Sequence, residues 1–182
     1  GPWEDKPLEG RAVLTAACPG AELADSIAQA VAGTGAEVRT REASGGGHVH
    51  ALVYDATGLD APEALRDVYD FFHAHVRAVS RCGRILIVAR PPEAADDPLC
   101  RSARRAVEGF LRSLGKEVGR KGTTVQVVYV DAGAGTGWSP CCGFCCRSVR
   151  PISPRSRSAS PRACPIRRRN VTSSRWRARW RW

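Results

Sequence analysis

The sequence predicts a doubly wound α/β domain, a parallel five-stranded sheet covered by helices, over residues 1–134, followed by a tail at 135–182 that does not belong to that fold. Two observations predict the domain. Short apolar runs alternate with stretches whose apolar residues recur at helical spacing, and each run is closed by Gly, Pro or Asp. Strands that are apolar throughout are buried on both faces, which a parallel sheet with right-handed helical crossovers provides. A third observation sets the boundary, because charge and cysteine both change character near Gly135. Residues 1–134 hold 16 Lys and Arg against 18 Asp and Glu, whereas 135–182 hold 12 Arg and no acid, so the net +10 belongs to the tail.

The elements follow in order. Residues 11–17 (RAVLTAA) read as a buried strand with a turn at Pro19 and Gly20. A helix then places Leu23, Ile27, Ala30 and Val31 on one face and stops at Gly33 and Gly35, before a second strand at 36–39. Residues 50–54 (HALVY) make a third strand, ending in Asp55, Ala56, Thr57 and Gly58. Asp60, with Glu63 three residues on, is the expected N-cap of a helix to about Ser80, with Leu65, Val68, Tyr69, Phe72, Val76 and Val79 as its apolar stripe. Gly83 breaks the chain, 84–89 (RILIVA) form a fourth strand, and Asp96 and Asp97 fall in a solvated loop. A long helix over about 99–119 turns Ala103, Ala106, Val107, Phe110, Leu111, Leu114 and Val118 inward, and 124–130 (TVQVVYV) supply the fifth strand.

At this point the chain resembles a known family. KPLEGRAVLT at 6–15, CGRILIV at 82–88 and RRAVEGFLRSLGKEVGRKGTTV at 104–125 resemble, in order and spacing, the short-chain dehydrogenase/reductases, and most closely the β-ketoacyl-acyl-carrier-protein (3-oxoacyl-ACP) reductases. DATG at 55–58 and the missing helix between the second and third strands resemble the flavodoxin-like N-terminal domain of the high-molecular-weight members, which precedes an intact reductase domain. The resemblance implies a Rossmann/flavodoxin-like sheet of order 2-1-3-4-5, NADP or NAD as cofactor and fatty-acid type metabolism. It also implies two kinds of partner: a C-terminal reductase domain of a longer protein, and a second copy docked through the helices at 62–80 and 99–119.

The residues that would do that chemistry are altered. The family's dinucleotide loop, TGxxxGxG, is met here by Thr15, Ala16, Ala17, Cys18, Pro19, Gly20, Ala21 and Glu22, so only the threonine and the middle glycine survive. Glu22 brings a negative charge to the place of a pyrophosphate. Thr15, Gly20, Asp55 and Gly58 are the residues left to hold a cofactor weakly. In the YxxxK motif a tyrosine moves the proton and a lysine lowers its pKa. The register fixed by residues 106–110 puts Cys100 at the tyrosine and Arg104 at the lysine. The strand that would deliver the serine ends in Ala89, Arg90 and Pro91, so no catalytic residue is intact.

Other signals have plainer readings. His48 and His50 lie two apart at a strand entrance and His73 and His75 point to different helix faces, so no metal site is expected. Cys100, with Arg101 and Arg104 nearby, has the surroundings of a reactive thiol, but a buried or surface cysteine is the expected reading. No apolar run approaches a membrane span, no signal peptide precedes the first strand, and the scattered Cys18, Cys82 and Cys100 suit a reduced, cytoplasmic protein. The absence of Met and the opening Gly1, Pro2 and Trp3 suggest a processed end, a tag scar or a fragment boundary.

Taken literally, CCGFCC at 141–146 and the Arg/Trp end suggest metal and then nucleic acid or a membrane surface. The tail has no His or acid, however, and adjacent cysteine pairs are not zinc spacing. A reading frame moved by one base near Gly135 accounts for more. Each Cys-Cys pair, and Phe144 with Cys145, then spells leucine, and the recovered aliphatic run resembles the last helix of the same domain. A non-native, largely disordered tail is therefore expected, with no specific nucleic-acid partner, and apolar surface should be left exposed where that helix is missing. The expected function is that of a non-catalytic reductase-like domain. The alternatives are an active divergent NAD(P)-dependent oxidoreductase and nucleic-acid binding through the tail.

Overall fold

The computed structural model describes residues 6–41 and 47–132, and the backbone of 166–169. Its strands are β1 (Ala12–Ala17), β2 (Glu37–Thr40), β3 (Val49–Ala56), β4 (Val79–Ala89), β5 (Thr124–Val130) and β6 (Ile166–Arg169), and its helices are α1 (Ala24–Ala32), α2 (Leu65–His75) and α3 (Pro98–Val118). Five strands are parallel in the order β2-β1-β3-β4-β5, as the sequence predicts. β6 adds a sixth strand, antiparallel to β5, with Val130 opposite Ile166 and Val127 opposite Arg169. No strand was expected there; the predicted frame shift and disorder of the rest of 135–182 lie outside the described residues.

Alternation along each strand explains the apolar runs. Leu14, Leu52, Tyr54, Ile85, Ile87, Val127 and Tyr129 face one layer with α2 and α3. Val13, Ala51, Val53, Leu86, Val88, Val128 and Val130 face the other with Leu23, Ile27 and Val31. Burying both faces at about 25 cal/mol per Å² of apolar area is what drives these residues together. Leu86, Val88, Val128 and Val130 are all buried. Among the described residues no helix is long and apolar enough to cross a membrane.

Several local readings are corrected. Asp60 does not cap the second helix. A 3-10 turn at Pro62–Ala64 with Ala61 before it opens that helix, and α2 ends at His75, followed by a 3-10 turn at Val76–Ala78. Val79 belongs to β4, where it pairs with Val49, so its helical spacing with Val76 is coincidental. The buried face of α2 is Val68, Phe71 and Phe72, whose rings lie 5.1 and 5.7 Å from that of Tyr54, while Tyr69 points outward.

Gly83, in turn, does not break the chain. β4 runs through it across an irregularity in its pairing with β3. Cys82 takes φ 56 there, and a Cβ on Gly83 would come within 2.4 Å of Val79 Cγ1. Asp96 and Asp97 lie exposed in the bend before α3, as expected, and Asp97 has a further role there. Its carboxylate accepts from Cys100 N at 2.8 Å and caps α3, with Pro98 at the first helical position. On α3, Ala106 lies on the exposed face and Glu108 is buried in its stead, receiving the Tyr129 hydroxyl at 2.7 Å.

Candidate nucleotide and catalytic site

In a doubly wound sheet, ligands bind beyond the carboxyl ends of the strands, with phosphates at a helix N-terminus. The corresponding edge here is formed by the turn 18–23 between β1 and α1, the segment 55–58 at the end of β3, Arg90 after β4 and Asp131 after β5. Gly20 supplies the positive φ, +77°, that the β1–α1 turn needs. Gly58 packs directly on that turn: a Cβ there would sit 2.4 Å from Gly20 C and 2.6 Å from both Ala21 N and Pro19 O.

The turn's backbone donors are used within the chain. Ala21 N donates to Cys18 O at 3.1 Å, Glu22 N to Thr57 Oγ1 at 3.1 Å and Leu23 N to Asp55 Oδ2 at 2.9 Å. Asp55 is buried, and its Oδ1 accepts from Thr57 N at 2.9 Å. The carboxylate therefore sits at the start of α1, where the aligned peptide dipoles favour negative charge. Burial, opposed by a hydrogen bond from the Gly58 backbone and reinforced by the Asp55 charge, pushes the Cys18 thiol up to about 11.

The predicted cofactor residues are thus divided. Gly20, Asp55 and Gly58 come together, but Thr15 does not join them; its hydroxyl donates to Arg39 O at 3.3 Å, toward β2. Glu22, expected to confront a phosphate, pairs instead with Arg90. Arg90 is buried, and its Nη1 donates to Val130 O at 3.1 Å and Asp131 O at 2.6 Å. One guanidinium thereby spans the edge from the end of β5 to the start of α1. Sequence reasoning noted Arg90 only as a missing serine. The available signal was a cation directly ending an apolar strand, which has to find acceptors if it is buried.

Cys100 and Arg104 lie one helical turn apart on α3, and both face the segment after β3. Cys100 Sγ lies 3.6 Å from Asp60 Oδ1 and 4.0 Å from Leu59 O. Arg104 Nη2 donates to Asp60 Oδ1 at 2.8 Å, and its Nε to Leu59 O at 3.3 Å. Burial raises the Cys100 pKa, Arg104 opposes that, and the bond to Asp60 raises it further. The thiol is held protonated, which favours the buried-cysteine reading over a reactive one. No group of His, Cys, Asp and Glu suited to a metal ion occurs among the described residues.

No protein-family model and no curated protein sequence matches the chain. Solved structures do. A dehydrogenase/reductase from Sinorhizobium meliloti matches at 14% identity over 68% of this chain and 72% of its own, with a TM-score of 0.54. A short chain dehydrogenase from Burkholderia cenocepacia, in complex with NADP, matches at 19% identity over 67% and 74%, with a TM-score of 0.53. The enoyl-[acyl-carrier-protein] reductase (NADH) of Aquifex aeolicus matches at 13% identity over 78% and 90%, with a TM-score of 0.55. The chain therefore has the Rossmann-like α/β fold of short-chain dehydrogenase/reductases.

Proposed function

We propose that this chain is a degenerate, non-catalytic short-chain-reductase-like domain of a larger, cytoplasmic NAD(P)H-dependent 3-oxoacyl-acyl-carrier-protein reductase. The observation that carries the reading is the state of Cys100 and Arg104. A protonated thiol and a guanidinium, both engaged with Leu59 and Asp60, stand where the resemblance requires a phenol and an amine free to move a proton. Arg90 at the end of β4, where a serine would polarise the substrate carbonyl, supports the same conclusion. The residues present do not fit NAD(P) either. A pyrophosphate would have to displace acceptors from Glu22 N and Leu23 N, and would meet the carboxylates of Asp55 and Glu22.

On this reading the domain works by association. Its partners are an intact reductase domain elsewhere in the same protein and a second copy docked through α2 and α3. The test is NADPH oxidation with an acetoacetyl thioester. No turnover by this chain is expected; measurable turnover, saturable in both substrates, would establish the divergent-reductase alternative instead.

A further inference from the structure

The turn between β1 and α1 has the parts of a phosphate seat: a glycine in the left-handed region, a nine-residue helix beginning just beyond it, and backbone N–H groups at residues 21–23. All three of those N–H groups are already bonded, two of them to side chains of β3 and its following turn. We propose that Asp55 is a built-in anion of this seat, its carboxylate supplied by β3 to satisfy the start of α1 in the manner of a bound phosphate oxygen.

Four observations support it. The carboxylate is buried, so it needs fixed donors, and it has them in Leu23 N and Thr57 N. Thr57 Oγ1 takes the neighbouring Glu22 N, so adjacent donors are served by one short segment. Gly58 lets that segment lie against the turn, leaving no gap for a second anion between Gly58 and Gly20. Outside it, Glu22 closes the same edge onto Arg90. The seat has become a brace joining β3 to the β1–α1 turn.

The inference rests on the reductase-like reading only for the expectation that a phosphate once sat here, and its test is a binding and stability measurement rather than turnover. In thermal unfolding, NADP, NADPH or inorganic phosphate should raise the wild-type midpoint no more than chloride at matched ionic strength, because a ligand stabilises only if the folded state has room for it. Asp55→Ala should melt lower by about 5–10 °C. Formate, which replaces the lost carboxylate, should recover part of that loss where chloride does not.

If Asp55→Ala fails to fold, Asp55→Asn keeps the shape. Amide exchange at Leu23 or Thr57 should then quicken by at least tenfold relative to Ile27, since the amide side chain cannot accept from both. Stabilisation of the wild type by NADP or phosphate, an Asp55→Ala protein as stable as the wild type or unmoved by formate, or unchanged exchange in Asp55→Asn would each overturn the proposal. Cofactor-dependent stabilisation without turnover would sink this inference and leave the non-catalytic reading standing; turnover would sink both.

Discussion

Arg104 and Asp60 join the long helix to the segment that follows β3, Nη2 to Oδ1 at 2.8 Å, while the same guanidinium's Nε reaches Leu59 O at 3.3 Å. The side chains differ in exposure, 12% for Arg104 and 71% for Asp60, so the two ends of the contact have different worth. Removing the exposed carboxylate by Asp60→Asn should cost about 0.5 kcal/mol, the scale of a surface ion pair. Arg104→Ala also leaves Leu59 O with only the weak Cys100 thiol contact and empties a packed site, and should cost about 2 kcal/mol. Arg104→Lys, which keeps the charge, should still lose about 1 kcal/mol because an ammonium cannot make the forked contact. Urea unfolding midpoints check all three.

Two glycines should respond in opposite directions to the same change. Gly58→Ala forces a Cβ to 2.4 Å from Gly20 C and 2.6 Å from Ala21 N, both backbone atoms that cannot swing aside. A loss of about 3 kcal/mol is expected, at the upper end of overpacking costs. Gly109 lies on the exposed face of α3, where an added Cβ meets nothing within 4 Å. Gly109→Ala should raise stability by about 0.5–1 kcal/mol through helix propensity and the reduced freedom of the unfolded chain. Denaturant titration of the two variants beside the wild type decides the sign of each.

The sheet was legible because its strands are apolar at consecutive positions, and only burial on both faces explains a run such as Ile85 to Val88. The end of α2 was not, because Val76 and Val79 keep helical spacing while β-pairing to Val49 claims the second. The site was half legible. That Glu22, Cys100 and Arg104 depart from the motifs the sequence resembles can be read from residue identity alone. What replaced them cannot. The partners of Asp55, Glu22 and Arg90 lie 32 and 68 residues away in sequence for the key contacts, and no local period announces a pairing of that separation.

Glu108 is a carboxylate on the buried side of α3, and the Tyr129 hydroxyl donates to its Oε1 at 2.7 Å while Arg105 Nη1 lies 3.2 Å from the same oxygen. Burial first, and then this bond, raise the Tyr129 pKa, so the phenol stays protonated. Tyr129→Phe leaves Glu108 with its arginine and should cost about 1 kcal/mol. Glu108→Ala leaves a buried hydroxyl without its acceptor and should cost about 2–3 kcal/mol. A double-mutant cycle should return a coupling of about 1 kcal/mol; purely additive losses would mean the bond contributes nothing.

Cys18 makes stability depend on alkaline pH. Its thiol, buried behind the β1–α1 turn and beside the Asp55 charge, titrates at about 11 in the folded protein against an ordinary 9.0. Between those values the unfolded chain releases the proton and the folded one keeps it, so the folded state binds more protons and stability must fall as pH rises. The contribution is complete below pH 9 and is lost as pH climbs through about 11. Tyr54, raised by burial and by its bond to Asp67, adds a loss of the same sign once pH passes its ordinary value of 10.0. Cys18→Ala removes the first of these and keeps the second. Its stability relative to wild type should therefore improve by roughly 2 kcal/mol between pH 8.5 and 11. Urea midpoints of the two proteins across that range test it, and parallel curves would mean that Cys18 ionises equally in the folded and unfolded chain.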